Sequence, residues 1–196
     1  EGLNIIRPLM LGGATSMYCG CAARPLPFWQ AKYGINLDPY ADETSDELHI
    51  APLPADLRGP ASTRIAAAAA ELGLDWEPQD KFMSPARAPQ FHCAATCMLG
   101  CRCGAKWNAA EFVDQAVADG LDLWTGARVE RVLHEDGVVT GIKGKAGGRP
   151  FTIHAPLVIL AAGGIGTPRI LQRSGLPAAG QGMTMDTTVM VYGHAP

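Results

Sequence analysis

The sequence predicts an α/β fold, and three observations carry that prediction. The run "LVILAAG" (157–163) is apolar on both faces, as a central strand of a parallel sheet must be. It leads through a glycine turn into "TPRILQRSG", a helix with Pro168 in its first turn and Gly175 past its end. Ahead of it, a helical period gives way to alternating β-branched residues, so the second half reads helix, strand, hairpin or meander, buried strand, helix. That order fits a doubly wound parallel sheet interrupted by a small antiparallel excursion.

Taken in order, residues 1–24 form an apolar segment broken by "LGGATS" (11–16). From "PLPFWQ" to "LRGP" the chain is rich in Pro, Asp and aromatic residues without sustained periodicity, and reads as an irregular excursion. "ASTRIAAAAAELG" (61–73) makes a helix of strong formers, with Pro60 ahead and Gly73 at the stop. Residues 78–106, rich in Pro, Cys and Gly, again read as irregular. "NAAEFVDQAVADG" sets Ala109, Phe112, Val113, Ala116 and Val117 on one stripe closed by Gly120. Asn108 is its expected N-cap, with Glu111 three residues on to complete a capping box. "LDLWTG" then reads as a strand, and "ARVERVLHEDG", "VVTGIKGKA" and "PFTIHA" as strands turning at Asp136-Gly137.

A chain of 196 residues with 47% hydrophobic content suffices for one domain, or a domain and a half, with a core of its own. A net charge of −3 gives no footprint for nucleic acid or anionic lipid. The run "AAAAAEL" is too short to span a bilayer, and no basic start leads into an apolar signal core. The six cysteines fall in two clusters, Cys19 and Cys21, then Cys93, Cys97, Cys101 and Cys103. That is sparse for a disulfide scaffold and favours a cytoplasmic chain with thiols or metal ligands. With no Met at the start and an end just after an apolar stretch, both ends are expected to be cuts in a longer protein.

Four stretches bear on chemistry. Gly163 and Gly164 leave the main chain bare where a bulky planar or phosphorylated ligand can approach; a tight strand–helix turn explains them equally well. Gly12 and Gly13, followed by Thr15 and Ser16, offer amides and hydroxyls to an anionic or carbonyl-rich ligand, or simply make a turn. In "FHCAATCMLGCRCGAK" the thiols can surround zinc or an iron–sulfur cluster, or pack as a thiol-rich loop oxidised in pairs. Cys19 and Cys21 are expected as small buried groups, His134 as solvated, and the four tryptophans, which lack basic interleaving, as core.

Together, "LGGATSMYCGCAARP", "FWQAKYGINLDPY", "CMLGCRCGAKWNAAEFVDQAVADGLDLWTGARVERVLHEDGVVTGI" and "LVILAAGGIGTPRILQRSGL" resemble the glucose–methanol–choline (GMC) family of FAD-dependent oxidoreductases. The pattern TP-x-I-L-x-x-SG (167–175) is the most distinctive part. The resemblance implies a partial FAD-binding doubly wound domain with part of a substrate-domain insertion. Residues 1–24 and 106–177 would be FAD-binding segments. Residues 25–105 would be an insertion that covers the flavin and belongs partly to the substrate domain, and residues 178–196 would begin that domain.

By the same resemblance, Gly12, Gly13 and Thr15 lie along the pyrophosphate and the isoalloxazine edge. Val129 offers its backbone N–H and C=O to the adenine, Ala162, Gly163 and Gly164 pass under the ribityl–phosphate portion, and Thr167 opens the next helix. Met17 stands where one branch of the family holds a His bonded to the flavin, which implies non-covalent FAD. The family's glycine fingerprint and its catalytic His would fall upstream of residue 1 and beyond residue 196. No catalytic residue is therefore assigned, His194 included, and no metal ligand. Some members carry a three-iron cluster on cysteines of this segment, others a C-x-x-G-C-x-x-GAK loop without metal.

The implied activity is oxidation of a small-molecule alcohol by hydride transfer to FAD in the intact protein; the electron acceptor is not implied. This piece alone would be inactive, would hold FAD weakly and would be prone to self-association through an apolar edge. Two alternatives stand beside it. A flavoprotein of the fumarate reductase and succinate dehydrogenase type shares the Ala-x-Gly-Gly strand end but lacks the TP-x-I-L-x-x-SG helix. A non-flavin iron–sulfur or zinc module would be built on the Cys93–Cys103 loop.

Overall fold

The computed structural model describes residues 7–91, 100–184 and 193, in two units, Glu1–Asp122 and Leu123–Pro196. The first unit holds helices α1 (Phe28–Tyr33), α2 (Asp38–Leu48), α3 (Pro60–Glu71) and α4 (Ala110–Ala118), and a two-residue antiparallel pair, β1 (Ala51–Pro52) with β2 (Asp80–Lys81). Residues 80–83 hold its distant parts together. Asp80 accepts from the Ala22 N–H at 2.9 Å, Phe82 donates to the Gly20 carbonyl at 2.8 Å, and Trp107 donates to the Phe82 carbonyl at 2.9 Å. Around this strip runs an aromatic chain, Tyr18–Phe82–Trp107–Phe112, with centroids 5.5, 5.7 and 5.3 Å apart. Trp29, Trp76 and Trp124, expected in the core, are exposed.

The stretch from "PLPFWQ" to "LRGP" is not irregular throughout, since it contains α1 and α2. α2 starts where Asn36 Oδ1 accepts from the Asp38 N–H at 3.1 Å, with Asp38 and a proline in the first turn. It ends at His49 in the left-handed region, φ 53°, where the Ile50 N–H donates to the Ser45 carbonyl. No α2 residue is buried, so its sequence has no need of an apolar stripe. α4 starts one residue later than its stripe suggests. Asn108 Oδ1 accepts from the Ala110 N–H at 3.0 Å, and the Glu111 carboxylate, besides binding Arg87, accepts a backbone hydrogen bond from Asn108, the reciprocal bond of the expected capping box.

The second unit is an antiparallel meander, β3 (Ala127–Glu135), β4 (Val138–Ala146) and β5 (Arg149–His154), in the order β3-β4-β5, with helix α5 (Gly163–Arg173) packed on β3. Both turns, Asp136-Gly137 (φ 48° and 81°) and Gly147-Gly148 (φ 55° and 79°), have two left-handed residues, the geometry that follows the strand twist. Gly144 faces a bulge in β3 so closely that a Cβ would lie 2.1 Å from the Arg128 carbonyl oxygen.

The last residues of the TP-x-I-L-x-x-SG pattern dock α5 on the sheet. Buried Ser174 accepts from the Val132 N–H at 2.8 Å and donates to the Ile170 carbonyl at 2.7 Å, while His134 Nε2–H donates to the Ser174 carbonyl at 2.8 Å. Gly175 then closes the helix at φ 94° with a bond from Leu176 back to Leu171, and Gly73 and Gly120 close α3 and α4 in the same way.

Neither "LDLWTG" nor "LVILAAG" forms a strand. A strand exists only in a ladder, and none of β1 to β5 pairs with 157–162, so Leu157 and Ile159 stand 74% and 83% exposed. The described residues thus show mixed helix and strand with two small antiparallel sheets, and no parallel pair. No described helix is long and apolar enough to cross a membrane.

Candidate functional site

In the first unit the glycine pair sits at the head of a short 3-10 turn, Gly13–Ser16. The two glycines differ in surroundings. Gly12 (φ 81°) packs against the start of α4, and a Cβ there would lie 2.8 Å from Asn108 Oδ1 and 3.0 Å from the Ala110 nitrogen. Gly13 (φ 51°) has nothing within 4 Å of a Cβ position, so its backbone lies open. The Thr15 hydroxyl donates to the Gly12 carbonyl and accepts from the Ala109 N–H at 2.9 Å, tying the turn to a residue distant in sequence. Ser16, buried, donates to the Leu11 carbonyl at 3.2 Å. Gly12 and Thr15 therefore shape the loop, and Gly13 is the position a ligand can reach.

Sequence reasoning missed Lys106, which is 2% exposed. Its ammonium donates to the carbonyls of Ser16, at 3.1 Å, and Tyr18, and lies 4.6 Å from the centroid of the Tyr18 ring. Gly20 (φ 67°) admits its methylenes; a Cβ there would stand 3.3 Å from Lys106 Cγ and Cδ. The Tyr18 hydroxyl donates to the Trp107 carbonyl at 3.0 Å. Burial first, then the charges of Cys21 and Glu111, push the phenol well above its ordinary value, so it stays a donor. The one trace of this in the sequence is a lysine in "GAK", next to the aromatic Trp107.

Cys101 and Cys103 face each other with sulfurs 3.5 Å apart, and Cys101 Sγ accepts from the Lys106 backbone N–H at 3.5 Å. Cys93, Cys97, His92 and His194 lie outside the described residues, and among those described no three His, Cys, Asp or Glu gather to hold a metal. Cys19 and Cys21, expected as buried, are exposed, because Gly20 between them takes the inward position against Lys106. Lys81 Nζ lies 2.9 Å from Cys21 Sγ.

Arg87 grips Glu111 with two bonds of 2.8 and 2.6 Å, joining the Pro85–Gln90 turn to α4. The hydrogen bond from Arg87, against the opposing effect of burial, holds the Glu111 carboxyl below its ordinary range. The pair lines a cleft of about 640 Å³ together with His49, Trp107 and Gln115.

In the second unit Gly163 (φ 73°) and Gly164 have nothing within 4 Å of a Cβ position. α5 begins at Gly163 and not at Thr167, which lies one turn in; its Oγ1 accepts from the Ala162 N–H at 3.1 Å and fixes the helix start. Ala162, Gly163, Gly164 and Thr167 thus share one helix N-terminus. Val129 lies apart from them in sequence, on the edge strand β3, where the ladder shifts register between Val129 and Arg131.

Residues 5–187 match the family model described as GMC oxidoreductase. Over 198 aligned residues the chain is 30% identical to an uncharacterized GMC-type oxidoreductase of Mycobacterium tuberculosis, covering 93% of this chain and 31% of that protein. It is 29% identical over 128 residues to a long-chain-alcohol oxidase of Arabidopsis thaliana, covering 57% of this chain and 17% of the relative. A 2-methyl-1,2-propanediol dehydrogenase of Mycolicibacterium austroafricanum is 45% identical over 62 residues, covering 30% of this chain and 11% of the relative. The chain spans about a third of the length of the Mycobacterium tuberculosis relative. A match through both glycine pairs and the TP-x-I-L-x-x-SG helix displaces the fumarate reductase alternative, and the chain belongs to the GMC oxidoreductase family.

Proposed function

We propose that this chain supplies part of the FAD site of an enzyme that oxidises an alcohol group. The observation that carries this reading is the bare backbone at Gly13 and at Gly163-Gly164, where nothing beyond the adjoining chain lies within 4 Å of the position a Cβ would take. The alcohol oxidase and diol dehydrogenase among the relatives support a small-molecule alcohol as substrate. When bound, FAD would supply the hydride acceptor.

The residues fit that group. Gly13 would let the pyrophosphate or ring edge reach the main chain, on a turn held in shape by Gly12, Thr15 and Lys106. Ala162, Gly163 and Gly164 would pass beneath the ribityl–phosphate portion at the N-terminus of α5, an end that favours negative charge. Thr167 would keep that end in shape, and Val129 would offer edge-strand backbone to the adenine. With Met17 in the loop, the cofactor would be held without a covalent bond. Residues 1–24 and 106–177 would be the FAD-binding segments, 25–105 the insertion and 178–196 the start of the substrate domain. In the whole protein the two-faced apolar run 157–162 would pair as a strand of a doubly wound sheet.

The test is anaerobic reduction. The whole protein, purified with its cofactor, should show the two visible flavin bands, and a panel of primary and secondary alcohols should bleach them. Protein without flavin bands, or bands that no alcohol bleaches, overturns the reading.

A further inference from the structure

Lys106 is a buried cation that binds backbone. Its ammonium draws the carbonyls of Ser16 and Tyr18 inward, its stem fills the space left by Gly20, and its position is held by the bridge to Met83 and the Trp107–Phe82 bond. Among the described residues the peptide bonds are all trans, so the N–H of each peptide points opposite to its carbonyl. For the Ser16–Met17 peptide that N–H is used locally, donating to the Ala14 carbonyl at 3.0 Å. For the Tyr18–Cys19 peptide it is not: with the Tyr18 carbonyl turned to the ammonium, the Cys19 N–H faces away from the buried side. Cys19 is exposed, and no described residue accepts from that N–H.

We propose that Lys106 is a positioning residue that aims the Cys19 backbone N–H at the ligand, where it donates to an acceptor on a flat heteroaromatic ring, the carbonyl or ring-nitrogen edge of a flavin. The inference rests on the FAD reading above. It gives the segment from Gly13 to Cys19 two ligand-facing points, an open glycine at its start and a donor aimed by a buried charge at its end. It also gives a reason for a lysine where a neutral side chain would be easier to bury: an ammonium can take two carbonyls at once, and two are needed to fix both peptide planes.

The experiment is FAD titration of the whole protein, stripped and reloaded, in wild-type, Lys106→Met and Lys106→Arg forms, well below their unfolding temperatures. Lys106→Met keeps the stem and loses both bonds, so its Kd for FAD should rise about tenfold, the size of one hydrogen bond. Lys106→Arg, which still donates, should recover part of the loss. A Lys106→Met protein of lower thermal stability but wild-type Kd overturns the proposal, leaving Lys106 a packing residue only. Should Lys106→Met fail to fold, amide exchange in the wild type decides: FAD should slow exchange of the Cys19 N–H at least tenfold, and an unchanged rate overturns the proposal. Wild-type protein that takes up no FAD overturns the cofactor reading and this inference with it, whereas FAD uptake with no effect at Cys19 overturns this inference alone.

Discussion

Gly12 and Gly13 are adjacent and both left-handed, yet alanine at each should have different consequences. At either position an L-residue meets backbone strain of roughly 1–2 kcal/mol. For Gly13 that is the whole cost, since a Cβ meets nothing within 4 Å. At Gly12 the Cβ would fall 2.8 Å from Asn108 Oδ1, 3.0 Å from the Ala110 nitrogen and 3.2 Å from Ser16 Oγ. The Ala110 contact is backbone and cannot step aside, so overpacking adds roughly 1–3 kcal/mol. Displacing Asn108 from the Ala110 N–H adds about 1 kcal/mol for a lost cap. Gly12→Ala should therefore cost about 3–6 kcal/mol and Gly13→Ala about 1–2 kcal/mol. For a chain of this length each kcal/mol lowers the unfolding midpoint by about 2–4 °C. Circular dichroism melts should thus separate the variants by several degrees, with Gly12→Ala the lower. In FAD titrations the order should reverse relative to stability, Gly13→Ala losing affinity despite its smaller loss of stability. Equal midpoints would refute the packing argument, and wild-type FAD affinity in Gly13→Ala would refute the open-backbone argument.

Ser174→Ala removes the acceptor of the Val132 N–H and should destabilise the second unit by about 1–3 kcal/mol, read as faster amide exchange at Val132; an unchanged rate there contradicts the docking role. Glu111→Gln breaks a bidentate pair and should cost about 1 kcal/mol at pH 7 and low salt. Because the folded carboxyl titrates below its ordinary value, this contribution is present above about pH 4.3 and is lost as pH falls through the folded value. The wild-type and Glu111→Gln melting curves should then draw together as pH falls below about 4.3, and a gap of constant size from pH 7 into acid would show that the loss is packing and not charge. Gly144→Ala, whose Cβ would lie 2.1 Å from the Arg128 carbonyl oxygen, should disrupt the β3–β4 ladder and abolish the strand signal of the meander in far-ultraviolet dichroism.

What was legible in the sequence was local. Asp136-Gly137 announces a two-residue turn because both positions need positive φ, and Gly73, Gly120 and Gly175 announce helix ends for the same reason. α2 was not legible, since "DPYADETSDEL" buries nothing and so carries no stripe; only Asn36 and the Asp-Pro pair mark its start. The run 157–162 reads as a strand but forms none in this structure. Its apolarity records the neighbours a parallel strand requires, and a ladder is a property of two segments, of which the pattern shows one.

At the candidate site, the glycines could be found but not told apart. Gly12 is tight and Gly13 open only because Thr15 and Asn108, remote in sequence, meet at the head of α4. Lys106 escaped notice because lysine belongs by default on the surface, and its burial depends on two carbonyls far away in the chain.

Hydrogen exchange of the whole protein with and without FAD tests the account most directly. FAD should slow amide exchange both in residues 12–19 and in residues 162–164, two stretches separated by more than half of the chain. Protection in one stretch alone, or in neither, would contradict the claim that both bare-backbone segments serve a single cofactor.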